Sequence, residues 1–133
     1  MATSETVNGL RQAAEGLTYQ SETDAPWTAF AWPSATGEPT GEGVKQRGRH
    51  RPDAPVAGQS VEEFFAPLVQ EQDWYGDEER AAAAKYRALL GAVKRYLKSP
   101  KVVRVGERKV AVYVVGVASE GGWAGLKTTA VET

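Results

Sequence analysis

Lys109-Val-Ala-Val-Tyr-Val-Val-Gly-Val-Ala118 is the most β-prone stretch of the chain, and it decides the fold class. Its β-branched and aromatic residues favour a strand. Successive strand residues point to opposite faces, and here both faces are apolar. A strand of that kind is buried on both sides, so its sheet is covered on both faces, most simply by helices. Lys101 to Val105 reads as the preceding strand, with a turn at Gly106-Glu107. Glu120-Gly-Gly122 makes a second turn into a last strand, Trp123 to Val131.

Upstream lies the clearest helix, from about Asp77 to Lys98. Ala82, Tyr86, Leu89, Leu90, Val93 and Leu97 share one stripe, and most of the cations lie off it. Acidic residues crowd its start and basic residues its end, as the helix dipole favours. Ser99-Pro100 is expected to stop it. Ser60-Val-Glu-Glu63 matches a capping box and opens a short helix through Phe64, Phe65 and Leu68. A first helix is expected from Ser4 to Gly16, carrying Val7, Leu10 and Ala14 at helical spacing. Thr18 to Asp24 is polar and acidic. Trp27 to Trp32 reads as a strand with Phe30 and Trp32 on one face and Ala29 and Ala31 on the other. Residues 33–59 are rich in Gly and Pro and read as loop, with a weakly marked strand near Gly43 to Arg47.

The chain of 133 residues suits a single domain spanning 1–133. Its 16 Lys and Arg against 17 Asp and Glu give neither a nucleic-acid binder's basic excess nor an acidic mimic's balance. The absence of cysteine excludes disulfides and thiolate chemistry. No apolar run spans a bilayer, and the N-terminus lacks a signal-peptide pattern, so a soluble cytoplasmic protein is expected.

Chemistry-bearing motifs are sparse. His50 is the one histidine and stands between arginines, a setting that suits a solvated loop better than catalysis. No phosphate loop, nucleophile elbow or HExxH is present. The basic run Lys45-Gln-Arg-Gly-Arg-His-Arg51 has no interleaved aromatics and also reads as a solvated loop. Asp77, Glu78 and Glu79 could ligate Mg²⁺, but three carboxylates at a helix start usually serve the dipole. Asp73-Trp74-Tyr75 places two aromatics at that helix mouth, either as core plugs or as an anchor for a partner. Residue types alone favour core packing for Trp74, and a plain solvated side chain for Glu22.

Gly16-Leu17, Ser21-Glu22, Asp53-Ala-Pro55, Phe64-Phe65, Gln72-Asp-Trp-Tyr75, Asp77-Glu78-Glu79, Val112-Tyr113-Val114, Ala124-Gly125 and the ending Val131-Glu-Thr133 form an ordered set across nearly the whole chain. In this set the sequence resembles the nuclease A inhibitors, proteins that block sugar-nonspecific nucleases. The resemblance implies an α/β protein, a single-domain three-layer α-β-α sandwich similar in topology to plant pathogenesis-related proteins. It implies a stoichiometric inhibitor, monomeric when free, with no reaction and no cofactor of its own. The partner implied is a Mg²⁺-dependent ββα-metal nuclease that cuts DNA and RNA alike. By position, Thr133 takes the role of the family's C-terminal threonine, whose oxygen reaches the nuclease-bound metal. Glu22 would pair with an active-site cation. Trp74, beside Asp73, would be the interfacial aromatic, which leaves Tyr75 as the better core candidate. Glu22, Trp74 and Thr133 should then share one surface. The chain departs from the family pattern between Pro33 and Arg51, at Gly76 and at Trp123. A protein of the same fold with a different partner is the alternative reading.

Overall fold

A computed structural model of the chain describes residues 2–20, 24–70, 73–119 and 121–131. They form a mixed α/β domain in which four helices pack against a five-stranded antiparallel sheet. The helices are α1 (Ala2–Ala14), α2 (Gly41–Arg47), α3 (Val61–Val69) and α4 (Asp77–Tyr96). The strands are β1 (Thr18–Gln20), β2 (Asp24–Pro26), β3 (Thr28–Trp32), β4 (Val56–Ser60), β5 (Leu97–Val105), β6 (Lys109–Ala118) and β7 (Trp123–Val131). The large sheet has the order β3-β7-β6-β5-β4, and β1 pairs with β2 in a separate ribbon.

The apolar strand β6 is central, and its residues from Val110 to Gly116 are all buried. Val110, Val112 and Val114 enter a cluster with Leu10 of α1, Phe64 and Phe65 of α3, and Tyr86, Leu89 and Val93 of α4. Ala111, Tyr113 and Val115 enter a second cluster with Val44 of α2, Ala35, Val103, Val105 and Trp123. Each fully buried valine contributes about 1.5–3 kcal/mol relative to exposure. A surface ion pair such as Lys94–Glu62, at 3.6 Å between α4 and α3, contributes about 0–1 kcal/mol. Burial around β6 therefore outweighs the ion pairs in holding the sheet together. Gly106 closes the β5–β6 turn at φ +115°, where a Cβ would meet the Lys109 carbonyl at 2.5 Å.

The expected strands at Trp27–Trp32, Lys109–Ala118 and Trp123–Val131 are present, the first beginning at Thr28. Phe30 and Trp32 pack with the second cluster, and Ala29 and Ala31 with the first, as their alternation implies. Ser60 caps α3, accepting the Glu63 N–H at 3.1 Å. Four expectations need correction. Helix α4 ends at Tyr96, and Leu97 and Lys98 already belong to β5. Ser99-Pro100 is therefore not a helix stop but an irregularity in β5, with Ser99 at φ +53° and a register shift between Lys98 and Lys101. On α4 the buried alanine is Ala83, while Ala82 is exposed. Thr18 to Gln20 and Asp24 to Pro26, read as polar connection, form the β1–β2 ribbon.

The fourth correction concerns residues 33–59, which hold a helix and a strand. Gly43 to Arg47 lies in helix α2, not in a strand. Thr40 caps α2, its Oγ1 accepting the Gly43 N–H at 3.0 Å. Two glycines in seven residues disfavour a helix by about 1 kcal/mol each. Both are required by close approach: a Cβ on Gly41 would stand 2.6 Å from Val56, and one on Gly43 would stand 2.5 Å from the Trp123 ring. Trp123 is buried, donates from Nε1 to the Gly37 carbonyl at 2.9 Å, and carries the Arg47 guanidinium 5.4 Å from its ring centre. Helix α2, Gly37 and Trp123 are thus one packed unit. Strand β4 (Val56-Ala-Gly-Gln-Ser60) pairs with β5 at the sheet edge and has only one β-branched residue to announce it.

Gly43→Ala should lower stability by roughly 1–3 kcal/mol, because overpacking against Trp123 exceeds the helix gain. Trp123→Leu in the same chain should recover part of that loss. Thermal and denaturant unfolding of both single variants and the double variant measures the coupling. Additive effects would contradict the contact.

Candidate functional site

The connection from α3 to α4 turns at Asp73 and Trp74 and delivers the chain to the N-terminus of α4. Gly76 precedes the helix in an extended conformation, and its N–H donates to Glu79 Oε2 at 3.0 Å. Glu79 thus serves the helix end, as the dipole reading of this acidic run expects. Gly76 needs no side chain for this cap, because the bond uses its backbone N–H. Asp73, Asp77 and Glu78 make no side-chain hydrogen bond or ion pair among the described residues.

Trp74 is 75% exposed, the outlier among the large apolar side chains described. Core packing, the reading favoured by residue type alone, is therefore corrected. Its ring meets Tyr75 edge to face, with centres 4.6 Å apart. Tyr75 is half-buried and enters neither cluster, so it is not the core residue expected either. Both rings border a groove of about 550 Å³ whose walls include Leu17, Pro67, Leu68, Glu78 and Tyr86. Four separate segments build it: the α1–β1 turn, the end of α3, the 74–75 turn and the first turns of α4. No local sequence signal joins Leu17 and Leu68 to Trp74; only the packing of α1 and α3 against α4 does so.

The groove is tied to the β1–β2 ribbon through Tyr86. Its hydroxyl donates to the Thr18 carbonyl at 2.6 Å and accepts from Trp27 Nε1 at 3.1 Å. Burial pushes the Tyr86 phenol above its ordinary pKa, and the Trp27 hydrogen bond opposes the shift. Tyr19, Trp27 and Phe64 form a ring cluster beside it, with centres 5.6–6.1 Å apart. Thr128 of β7 fastens the ribbon from the other side, its hydroxyl donating to the Pro26 carbonyl at 3.0 Å. Glu22, between β1 and β2, and Thr133, beyond β7, lie outside the described residues.

The basic run is not a solvated loop throughout. Lys45 is only 8% exposed, and its ammonium donates to the Pro52 and Ala54 carbonyls at 2.8 and 3.3 Å beside Glu42. Arg47 covers Trp123, and Arg51 pairs with Asp53 at 3.4 Å on the surface. His50 is half-buried and shares a 2.6 Å hydrogen bond with the Tyr113 hydroxyl, so it too departs from the solvated reading. Burial lowers the His50 pKa, with the Lys127 charge adding to the effect. Lys45 thus ties α2 to the loop that follows it, while Arg47 and His50 tie the segment to Trp123 and Tyr113 of the sheet. Among the described residues no group of three or more His, Asp or Glu side chains is arranged to hold a metal ion.

Tyr86→Phe should cost about 1–3 kcal/mol of stability, since it leaves the Trp27 indole N–H and the Thr18 carbonyl without their buried partner. Denaturant unfolding checks this, and a loss below a few tenths of a kcal/mol would show that water replaces the hydroxyl.

No curated protein matches the chain. A family model described as nuclease A inhibitor-like protein matches residues 4–133, so the chain belongs to that family of non-enzymatic nuclease inhibitors.

Proposed function

We propose that this chain is a stoichiometric inhibitor of a Mg²⁺-dependent, sugar-nonspecific ββα-metal endonuclease and that it plugs the active site. Thr133 brings an oxygen to the nuclease-bound metal, Glu22 pairs with an active-site cation, and Trp74 with Asp73 anchors the interface. The observation that carries this reading is the exposure of Trp74. An indole at 75% exposure gains nothing for the free fold, whereas buried aromatic anchors dominate interface energies. Supporting it, Tyr86 and Thr128 link the Trp74 groove to β1, β2 and β7, the strands from which residues 21–23 and 132–133 continue. A hard oxygen ligand suits Mg²⁺, so a threonine oxygen can take the place of one of its waters. The Mg²⁺ is the nuclease's. We take the two clusters flanking β6 as the halves of an α-β-α sandwich of the pathogenesis-related kind. The chain then acts as one domain, a monomer when free, and works in the cytoplasm.

The test is titration of a sugar-nonspecific nuclease from the same source with this protein, reading cleavage of both DNA and RNA. Inhibition complete near equal molar ratio is expected. A nuclease left fully active at large excess would refute the reading in favour of a same-fold protein with another partner.

Removal of Thr133, or a tag appended to it, should weaken inhibition strongly while leaving thermal unfolding unchanged. Equal inhibition by the shortened protein would eliminate the metal contact. Trp74→Ala should weaken binding by about 2 kcal/mol or more, roughly 30-fold, measured by calorimetry against the nuclease. Because Trp74 is exposed, the free protein's unfolding free energy should stay within about 0.5 kcal/mol of the parent.

A further inference from the structure

The groove beside Trp74 has a chemistry of its own. One wall is aliphatic, from Leu17, Pro67 and Leu68. The mouth is aromatic, from Trp74 and Tyr75 standing edge to face. Glu78 and Glu79 line the rim, and Asp73 and Asp77 flank them in the chain. Glu79 is spent on the Gly76 N–H, but Glu78, Asp73 and Asp77 hold no cation among the described residues. Lys85 lies at the Gly16 end of the groove. Apolar walls, an aromatic edge and free carboxylates together favour a long side chain with an aliphatic stem and a planar cationic head.

We infer that this groove receives an arginine side chain from the surface of a partner protein. The stem lies along Leu17 and Leu68, and the guanidinium reaches the Glu78 carboxylate while facing the Trp74–Tyr75 rings. Arginine fits better than lysine because its planar fork bonds a carboxylate in two places and stacks on aromatics. A nucleic acid is disfavoured here because its phosphates would meet the carboxylates. The inference rests on the inhibitor reading only in identifying the bearer of that arginine as the nuclease.

The experiment uses the full chain, isotope-labelled, titrated with the peptide acetyl-Gly-Arg-Arg-Gly-amide and watched by amide and indole NMR signals. Shifts should concentrate at the Trp74 indole, Tyr75, Leu17 and Leu68. The Gly-Lys-Lys-Gly analogue should bind several-fold more weakly, by about fivefold. Glu78→Gln should weaken the arginine peptide by about fivefold or more, with far-UV dichroism unchanged. Glu38→Gln, an exposed control whose carboxylate meets Ser99 beyond the C-terminal end of α4, should leave binding as it is. Shifts scattered away from the groove, equal affinity for the lysine peptide, or unchanged binding by Glu78→Gln would overturn the assignment. So would an oligothymidylate that shifts the same groove signals more tightly than the arginine peptide. Peptide binding involves no nuclease, so failure of inhibition with intact peptide binding would refute only the function proposed above.

Discussion

Burial of β6 on both faces is the constraint on which the other elements depend. Three valines, at 110, 112 and 114, face α1, α3 and α4, while Ala111, Tyr113 and Val115 face the cluster that includes α2. Neither face could be left to water without losing several buried side chains, each contributing about 1.5–3 kcal/mol. Coverage of the first face fixes α4 across the sheet and brings α1 and α3 onto it. Coverage of the second face falls to the Gly- and Pro-rich segment, which must find a compact form to do it.

That segment solves the problem with small residues and cations rather than with a long amphipathic helix. Gly41 and Gly43 let α2 lie directly on Val56 and Trp123. Arg47 caps the Trp123 ring, and Lys45 holds two backbone carbonyls of the following loop. His50 reaches Tyr113 at the sheet centre. These residues therefore form a mutually dependent set. Trp123 fills space that the glycines leave open, and the cations satisfy the loop that crosses it.

The functional end is organised differently. Exposed Trp74 has no role in the core, yet its groove is lined by Tyr86, whose hydroxyl bonds both Trp27 and the Thr18 carbonyl. A mobile anchor on a rigid base would lose entropy on binding; here the turn is capped through Gly76 and Glu79 and abuts buried residues. The acidic run thus serves two ends. Glu79 secures the helix, and its neighbours keep charge free at the mouth of the groove.

Helical periodicity by itself located α4, and strand alternation the sides taken by Phe30 and Trp32, because burial on one face imposes a repeat that survives in the residue order; β6 was legible as an unbroken apolar, β-branched run, and β7 from the glycine turn that precedes it. Ser60 was legible as a cap because its bond to Glu63 is local. Helix α2, strand β4 and the β1–β2 ribbon were not legible, since each is held by distant partners: Trp123 and Val56 for α2, β5 for β4, Tyr86 and Thr128 for the ribbon. The pattern of family residues spoke for an inhibitor, and Trp74 stood out in it, but residue type alone pointed that indole inward. Only tertiary structure turned it outward and set Leu17, Leu68 and Glu78 around it. The reason is physical: a groove between helices depends on how three elements pack, and packing partners far apart in the chain leave no local repeat to read.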